Sequence, residues 1–111
     1  MENPKFQIFI GKDSHYYFRL RAANGEPVLG SEGYTSKSGC LNGIQSVKTN
    51  APFDERYRRK IASNDLFYFT LTAANNEVIG KSEMYTTEAA RDNGIEVVKK
   101  IAPNAPIEDL S

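Results

Sequence analysis

Hydrophobic residues recur along this chain first with the period of a strand and then with the period of a helix. Residues 6–10 and 16–22 are rich in aromatic and branched side chains, as strands are, and a short polar turn separates them. Asn24 and Gly25 then form a strong hairpin signal, because both residues tolerate a positive φ. The next run, residues 28–31, completes three predicted antiparallel strands.

The period changes after the third strand, where apolar residues stand three and four positions apart. Cys40, Ile44 and Val47 fall on one face of a helix. The hydroxyl residues at 35–36 offer side-chain oxygens for an N-cap, and Pro52 marks the end of the helix. Together these signals predict a helix packed on one side of the strands.

The whole pattern occurs twice. Shifting the chain by 51 positions aligns residues 6–52 with residues 57–103 without a gap. The identical pairs include Tyr17/Tyr68, Phe18/Phe69, Leu20/Leu71, Asn24/Asn75, Glu26/Glu77, Ser31/Ser82, Glu32/Glu83, Tyr34/Tyr85, Gly43/Gly94 and Ile44/Ile95. Each copy therefore predicts three strands and a helix, with candidate short final strands at 53–55 and 107–110.

Two repeats of this size should share one core, because a unit of about 50 residues buries too little surface to be stable alone. We expect a single domain in which repeat one spans about 4–55 and repeat two about 56–111. The duplication already supplies the second half that a single copy would need, so a monomer that mimics a dimer is expected.

Strand parity divides the predicted sheet into two faces. One face, which includes Phe18, Leu20, Phe69 and Leu71, should pack against the helices. The other is the open face, predicted to meet water, and it carries Tyr17, Arg19, Arg21, Tyr68, Thr70 and Thr72. Arg58 and Lys60 join the open face if the parity continues through the first strand of repeat two.

Composition fits a small folded domain. Lys and Arg number 14 and Asp and Glu number 14, which leaves no net charge, while hydrophobic residues make up 40% of the chain. A chain with no net charge lacks the overall basic character typical of nucleic-acid and membrane binders. No hydrophobic leader and no bilayer-length apolar run is present, so a cytoplasmic location and no membrane partner are expected.

Three motifs occur in both copies: A-A-N-x-E at the hairpin, S-E-x-Y-T before the helix and N-G-I within it. With these motifs the chain resembles the YegP-like family of small, uncharacterised, mostly bacterial proteins over nearly its whole length. The resemblance implies an α+β fold of two tandem β(3)-α-β repeats. These would form one antiparallel sheet with the helices on one face and the C-terminal strands exchanged between repeats. It implies no activity. Asn76 and Met84 depart from Gly25 and Gly33 of the first copy.

Catalytic and metal-binding patterns do not assemble. Cys40 and His15 are single ligands that do not recur in repeat two, so no metal is expected. No glycine-rich phosphate loop is present, and no cofactor is predicted. The glycines within the helices, Gly43 and Gly94, indicate close packing, because glycine there costs about 1 kcal/mol relative to alanine.

The repeated acidic and tyrosine residues offer one candidate site. Glu32 and Glu83, with Tyr34 and Tyr85, would form a ligand or acid–base site if they met at the pseudo-twofold axis. Hydrogen bonds to local turns and ordinary packing are the alternative explanation for all four.

The open face offers the other candidate. Tyr17, Arg19, Arg21 and Tyr68 combine rings that stack on bases with guanidinium groups that contact phosphate. The alternative is a solvated face with stabilising cross-strand pairs.

We predict a small non-catalytic binding or interaction module whose ligand the sequence does not specify. Two alternatives stay open: a small enzyme or ligand-binding protein with a site at the pseudo-twofold axis, and a module that binds single-stranded nucleic acid on the open face. A concave pocket at the axis that holds Glu32, Glu83, Tyr34 or Tyr85 would favour the first alternative, and a flat or convex surface would favour the interaction module.

Overall fold

The computed structural model describes residues 3–111 and arranges them as two repeats of strands and helix in one sheet. Repeat one contributes β1 (Lys5–Ile10), β2 (Tyr16–Arg21), β3 (Pro27–Gly30) and α1 (Lys37–Asn50). Repeat two contributes β4 (Tyr57–Ile61), β5 (Phe67–Thr72), β6 (Val78–Lys81), α2 (Glu88–Ile101) and β7 (Ile107–Asp109). The α+β class predicted from the sequence is confirmed.

The strands form a sheet of order β4-β5-β6-β3-β2-β1-β7, so the third strands of the two repeats meet at its centre. Their antiparallel contact is registered at one pair, Gly30 opposite Lys81. These two positions are themselves equivalent in the repeats, since they stand 51 residues apart. The pseudo-twofold axis therefore passes through this pair.

Tight hairpins connect the strands because their turn residues accept a left-handed backbone. Gly25 has φ 83° and its counterpart Asn76 has φ 69°. Asparagine is among the few residues that adopt this conformation readily, so both hairpins close in the same way. The loss of the second glycine does not change the turn.

Both helices begin at the predicted hydroxyl residues. The side chains of Ser36 and Thr87 accept hydrogen bonds from the backbone N–H of Gly39 and Ala90, each at 3.1 Å. The helices pack against the face that carries Phe18, Leu20, Phe69 and Leu71, all of which are at most 1% exposed. The burial that the strand parity predicts for this face is confirmed.

Gly43 and Gly94 lie where a tyrosine ring crosses each helix. A Cβ atom at Gly43 would lie 2.3 Å from Tyr34 Oη, and one at Gly94 would lie 2.4 Å from Tyr85 Oη. The close packing predicted at these glycines is thus present, and the pressing group is the tyrosine before each helix. This contact fixes the segment that leads from β3 or β6 into the helix.

Within residues 3–111, repeat two gives its final strand to repeat one, but repeat one gives none in return. β7 of repeat two pairs in parallel with β1 of repeat one, so the sheet is mixed rather than wholly antiparallel. The final strand predicted at 53–55 is wrong, because Asp54–Arg56 form a 3-10 turn that leads directly into β4. Residues 56–58 are the counterparts of β7, and the turn and the first strand of repeat two already use them.

Candidate functional site

The open face is organised as one registered row of side chains that crosses all the strands. The pairings run from β7 to β4 without a break, and they connect Glu108, Gln7, Arg19, Gly30, Lys81, Thr70 and Arg58. Paired residues in adjacent strands project to the same side of a sheet. The parity predicted for Arg58 and Lys60 is confirmed, since they stand opposite Thr70 and Tyr68.

Gly30 leaves a notch at the centre of this row. A Cβ atom added there would meet no other heavy atom within 4 Å. Arg19 and Lys81 flank Gly30 on the two neighbouring strands, which puts their backbones about 10 Å apart. The pseudo-twofold axis therefore emerges at a bare patch of backbone between two cationic side chains.

Arg19 and Arg21 converge on one neutral acceptor. Gln7 Oε1 accepts hydrogen bonds from Arg19 Nε at 3.1 Å and from Arg21 Nε at 2.6 Å. Within residues 3–111 neither guanidinium forms an ion pair with a carboxylate, although Glu108 accepts a hydrogen bond from Gln7 Nε2 at 2.7 Å. Burial, followed by the charge of Arg21, lowers the pKa of Arg19.

Aromatic rings support this arginine pair from the side. The guanidinium of Arg19 lies 4.3 Å from the centroid of the Phe9 ring, and Phe9 stacks on Tyr17 at 5.7 Å. The Tyr17 hydroxyl donates to Asp13 Oδ2 at 2.6 Å, which raises the pKa of Tyr17. Tyr17 is therefore held in place by its hydroxyl, while Arg19 is held over a ring with its Nη groups unbound within the described chain.

The second half of the open face has the same plan with fewer charges. Lys81 lies over the Tyr68 ring, with Nζ 5.1 Å from the centroid. Thr70 and Thr72, the counterparts of Arg19 and Arg21, are only 6% and 3% exposed. The prediction that these threonines lie open to water is wrong, because a short side chain is covered when longer neighbours flank it across the strands.

Thr70 is the one described side chain with a fully buried polar atom that lacks a hydrogen-bond partner. It lies between Arg58 and Lys81 in the row. Its neighbour two positions along β5, Thr72, donates to the carbonyl of Arg56 at 3.0 Å. A buried hydroxyl without a partner costs free energy, so Thr70 is the position in the row where one further hydrogen bond would be most favourable.

A groove of about 460 Å³ adjoins this row where β3 and β6 diverge from the axis. We call it the junction groove, and its lining includes Gly30, Glu32, Tyr34, Tyr68, Thr70, Glu77 and Lys81. A second hollow of about 320 Å³ lies on the helix side of the sheet, and its lining includes Glu26, Glu83 and Tyr85 with Gly94 and Val97 of α2.

The candidate residues predicted for the axis are thus divided. Glu32 and Tyr34 line one hollow, and Glu83 and Tyr85 line the other, so the two halves of that set do not share a cavity. Burial raises the pKa of both tyrosines above its ordinary value. Each glutamate is exposed.

Four residues of the open face are absent from the sequence-based set: Gln7, Phe9, Gly30 and Lys81. Gln7 and Phe9 have the same parity in β1 that Arg19 has in β2, and extending the parity argument to β1 would have found them. Gly30 and Lys81 occupy equivalent repeat positions with different residues. Their importance depends on the axis, which only the strand order reveals.

The single cysteine lies in α1, among the buried residues of that helix. Cys40 is buried, which raises the pKa of its thiol. Among the described residues, no group of three or more His, Cys, Asp or Glu side chains is placed to hold a metal ion. None of the helices in that part of the chain has the length and apolar character needed to cross a bilayer.

Comparison with known proteins gives matches that span the chain. A family described as a domain of unknown function, DUF1508, matches twice, at residues 12–57 and 62–109. A UPF0339 protein encoded in the 5′ region of the ptx operon of Stutzerimonas stutzeri is 51% identical over 105 residues, covering 95% of each chain. A UPF0339 protein of Bordetella pertussis is 53% identical over 102 residues, covering 92% of each.

Two solved structures share the fold. The solution structure of a UPF0339 protein from Shewanella oneidensis matches with a TM-score of 0.90 at 46% identity, covering 96% of this chain and 91% of that one. The solution structure of YegP from E. coli, a protein of unknown function, matches with a TM-score of 0.92 at 43% identity, covering 99% and 95%. With two DUF1508 matches and full-length relatives of this kind, the chain belongs to the YegP-like UPF0339 family as a tandem-repeat member.

Proposed function

We propose that this protein is a non-catalytic binding module that holds an anionic partner on its open face. One observation carries the proposal: the bare backbone of Gly30 lies between Arg19 and Lys81, and neither Arg19 nor its neighbour Arg21 forms an ion pair with a carboxylate of the described chain. Guanidinium groups bind phosphate and carboxylate through paired N–H donors.

Charge across the face supports an extended partner rather than a point ion. Basic side chains dominate the open face, and Glu108 at the β7 edge is the acidic member of the registered row. The basic side chains are Lys5, Arg19, Arg21, Arg58, Lys60 and Lys81. A zero net charge over the whole chain conceals this segregation. Single-stranded nucleic acid is the partner whose chemistry fits best, because its phosphates suit the row and its bases suit the rings of Tyr17 and Tyr68.

Thr70 fits the same proposal. Its buried hydroxyl has no partner in the described chain and lies beside Lys81 in the wall of the junction groove. A ligand that displaces the covering Arg58 or Lys81 side chain would expose this hydroxyl and supply the hydrogen bond that it lacks. No nucleophile and base pair accompanies it among the described residues, and for this reason we infer binding rather than turnover.

The test is fluorescence anisotropy with short labelled single-stranded RNA and DNA, at low and at physiological salt. We expect affinity to fall steeply with salt, because neutralised phosphates release counterions. Gly30→Val should fill the notch and weaken binding about tenfold or more. Its folding should be unaffected, since nothing lies within 4 Å of the added Cβ.

Matched variants make this test specific. Arg19→Ala should weaken binding, whereas Lys100→Ala removes the same charge from the exposed end of α2 and should have little effect. Inorganic polyphosphate serves as a probe that carries phosphates but no bases, so it separates the contribution of the phosphates from that of base stacking. No binding of any probe at tens of micromolar protein in low salt would overturn the proposal, as would equal effects of Arg19→Ala and Lys100→Ala.

A second candidate function rests on the junction groove itself. Its volume of about 460 Å³ lies within the range of small-molecule sites, and it combines Glu32 and Glu77 with Lys81. A small polar metabolite bound there would raise the melting temperature and shift the NMR signals of residues 31–34 and 77–80. Thr70→Val, which keeps the shape and removes the hydroxyl, should weaken such a ligand. A metabolite screen without any stabilising compound would count against this candidate.

A further inference from the structure

Two complete β(3)-α-β units would build a sheet of eight strands, and residues 3–111 form seven. In the filled half, β7 lies beyond β1 and pairs with it in parallel, through Phe6 N–H to the carbonyl of Pro106 at 2.8 Å and Leu110 N–H to the carbonyl of Ile8 at 2.8 Å. In the other half, β4 is the last strand of the sheet. No strand of the described chain takes the equivalent place beyond β4.

This difference between the two edges follows from the covalent linkage of the repeats. The residues of repeat one that correspond to β7 are 56–58, and they form the end of the 3-10 turn and the start of β4. The same residues cannot be both β4 and the strand that lies beside it. The β4 edge is therefore left unpaired within the described chain.

The backbone of β4 offers hydrogen-bonding groups to a strand beyond it. Bonds in an antiparallel pair alternate along the strands. The Ala62 N–H donates to the carbonyl of Leu66 at 2.8 Å, which assigns the even-numbered residues of β4 to the bonds with β5. The N–H and C=O groups of Arg59 and Ile61 therefore point outward. Tyr57 N–H is already bound to the carbonyl of Asp54 in the turn.

Side chains along this edge are more basic than their counterparts along β1. At the filled edge, Glu108 of β7 stands beside Gln7, and Lys5 Nζ approaches it to 3.6 Å. At the β4 edge, the counterparts of Lys5, Gln7, Ile8 and Phe9 are Arg56, Arg58, Arg59 and Lys60. An acidic side chain in an incoming strand would therefore meet more positive charge than Glu108 meets at β1.

Lys60 lies in the middle of this basic segment of β4. Its side chain is exposed and makes no ion pair within the described residues, and it lies between the outward-facing backbones of Arg59 and Ile61. Arg59 is already engaged, with Asp92 at 3.2 Å and Asp54 at 3.5 Å. Ile61 is 63% exposed on the helix side, an apolar contact for the residue next to the acidic one.

We propose that the β4 edge binds an extended acidic segment of a partner protein by strand addition, parallel to β4, with a carboxylate opposite Lys60. Main-chain hydrogen bonds supply affinity in this mode, and alternate side chains supply selectivity. The chain displays parallel strand addition internally in the pairing of β7 with β1, where Glu108 stands opposite Gln7, the counterpart of Arg58. At the β4 edge the register moves two residues along to Lys60, because Tyr57 N–H is already used in the turn. A second copy of the chain does not fit the edge, because two β4 edges would place their basic residues against each other.

The β4 edge lies three strands away from the Gly30 notch, although Lys60 also belongs to the open face, and a synthetic peptide tests the edge separately. The probe copies residues 104–111, NAPIEDLS, whose own counterpart in the protein remains on β1. A second peptide, NAPIKKLS, reverses its charge. We expect the acidic peptide to shift the amide signals of Arg59 and Ile61 in ¹⁵N spectra and to slow their hydrogen exchange, and the reversed peptide to bind at least about tenfold more weakly.

Variants locate the effect. Lys60→Glu should weaken the acidic peptide about tenfold or more and improve the reversed peptide, whereas Lys100→Glu on α2 should change neither. Gly30→Val should leave peptide binding intact, which separates this result from failure of the proposed function. Circular dichroism checks that each variant folds.

Three results would overturn the proposal. The first is no binding of the acidic peptide at millimolar concentration, in which case the basic residues serve only to protect the edge from pairing. The second is a set of shifts centred on Gly30 and Arg19, which would mean that the peptide binds the open face through its negative charge alone. The third is a set of shifts at Phe6 and Leu110, which would mean that the peptide displaces β7.

Discussion

Replacing Gly43 with alanine should destabilise this protein, although the same change stabilises most helices. Alanine in a helix interior is favoured over glycine by about 1 kcal/mol. At Gly43 the new Cβ would lie 2.3 Å from Tyr34 Oη, 2.7 Å from Tyr34 Cζ and 3.1 Å from Phe18 Cε2. Contacts this short force the ring or the helix to move.

Tyr34 has little freedom to move away. Its backbone exchanges two hydrogen bonds of 2.8 Å with Tyr16, and its ring stacks on Phe18 at 6.3 Å. Overpacking of this kind costs about 1–3 kcal/mol. After the propensity gain is subtracted, we expect Gly43→Ala to lower the free energy of unfolding by about 1 kcal/mol.

Urea denaturation followed by circular dichroism measures this change, with Gly39→Ala as the matched control. Gly39 is also in α1, and its added Cβ would lie 3.2 Å from Ser36 Oγ, a much milder contact. Gly39→Ala should therefore keep most of its propensity gain. Tyr34→Phe removes the nearest atom, so combining it with Gly43→Ala should recover part of the loss. A Gly43→Ala midpoint that rises as far as that of Gly39→Ala would refute the reasoning.

Three further properties of the molecule are open to direct measurement. Sedimentation equilibrium should give one chain mass at micromolar concentration, and a tight dimer would contradict the internal pseudo-dimer. Tyr57→Phe should cost about 1–2 kcal/mol in urea melts, because the buried Tyr57 hydroxyl donates to the carbonyl of Ala51 at 2.7 Å and that carbonyl would lose its partner; an unchanged midpoint would exclude this. The hydrogen bond from Lys37, followed by those from the side chain and backbone of Ser111, lowers the pKa of Asp109 to about 2. Its stabilising contribution is complete above the ordinary value of 3.8 and is lost as pH falls through about 2. The Leu110 amide shift should titrate in that window, and Asp109→Asn should abolish the titration.

The repeat made most of the fold predictable. A gap-free self-alignment fixes two equivalent units, and the N-caps at Ser36 and Thr87 follow from local chemistry that a sequence displays directly. The strand parity predicted for β4 also agrees with the structure, because Arg58 and Lys60 share a face with Tyr68. These features depend on neighbours within a few residues or on a period, and both are visible in one dimension.

The features that escaped prediction depend on which strands become neighbours. Thr70 has the expected parity but is buried, since its exposure is decided by Arg58 and Lys81 on adjacent strands. The notch at Gly30 exists because the pseudo-twofold axis pairs it with Lys81. Departures from the repeat at these positions are visible in the sequence, but nothing in it says that the two positions touch.

The final strand predicted at 53–55 is absent for a topological reason. Residues 53–55 have a local pattern compatible with a strand, and their counterparts in repeat two lead into β7. The chain continues at once into β4, so the residues needed for a crossing strand are already assigned. A linkage constraint of this kind acts on the whole fold and leaves no local signal.

Binding on the open face is the central claim, and an ¹⁵N titration of the protein with a short single-stranded RNA at low salt tests it most directly. The claim predicts saturable shifts concentrated in the registered row, at Gln7, Arg19, Gly30 and Lys81. In Gly30→Val the shifts should need about tenfold more RNA, or above, to saturate, and in the unaltered protein they should weaken as salt rises. The absence of saturable shifts, or shifts confined to the helix side around α1 and α2, would contradict it.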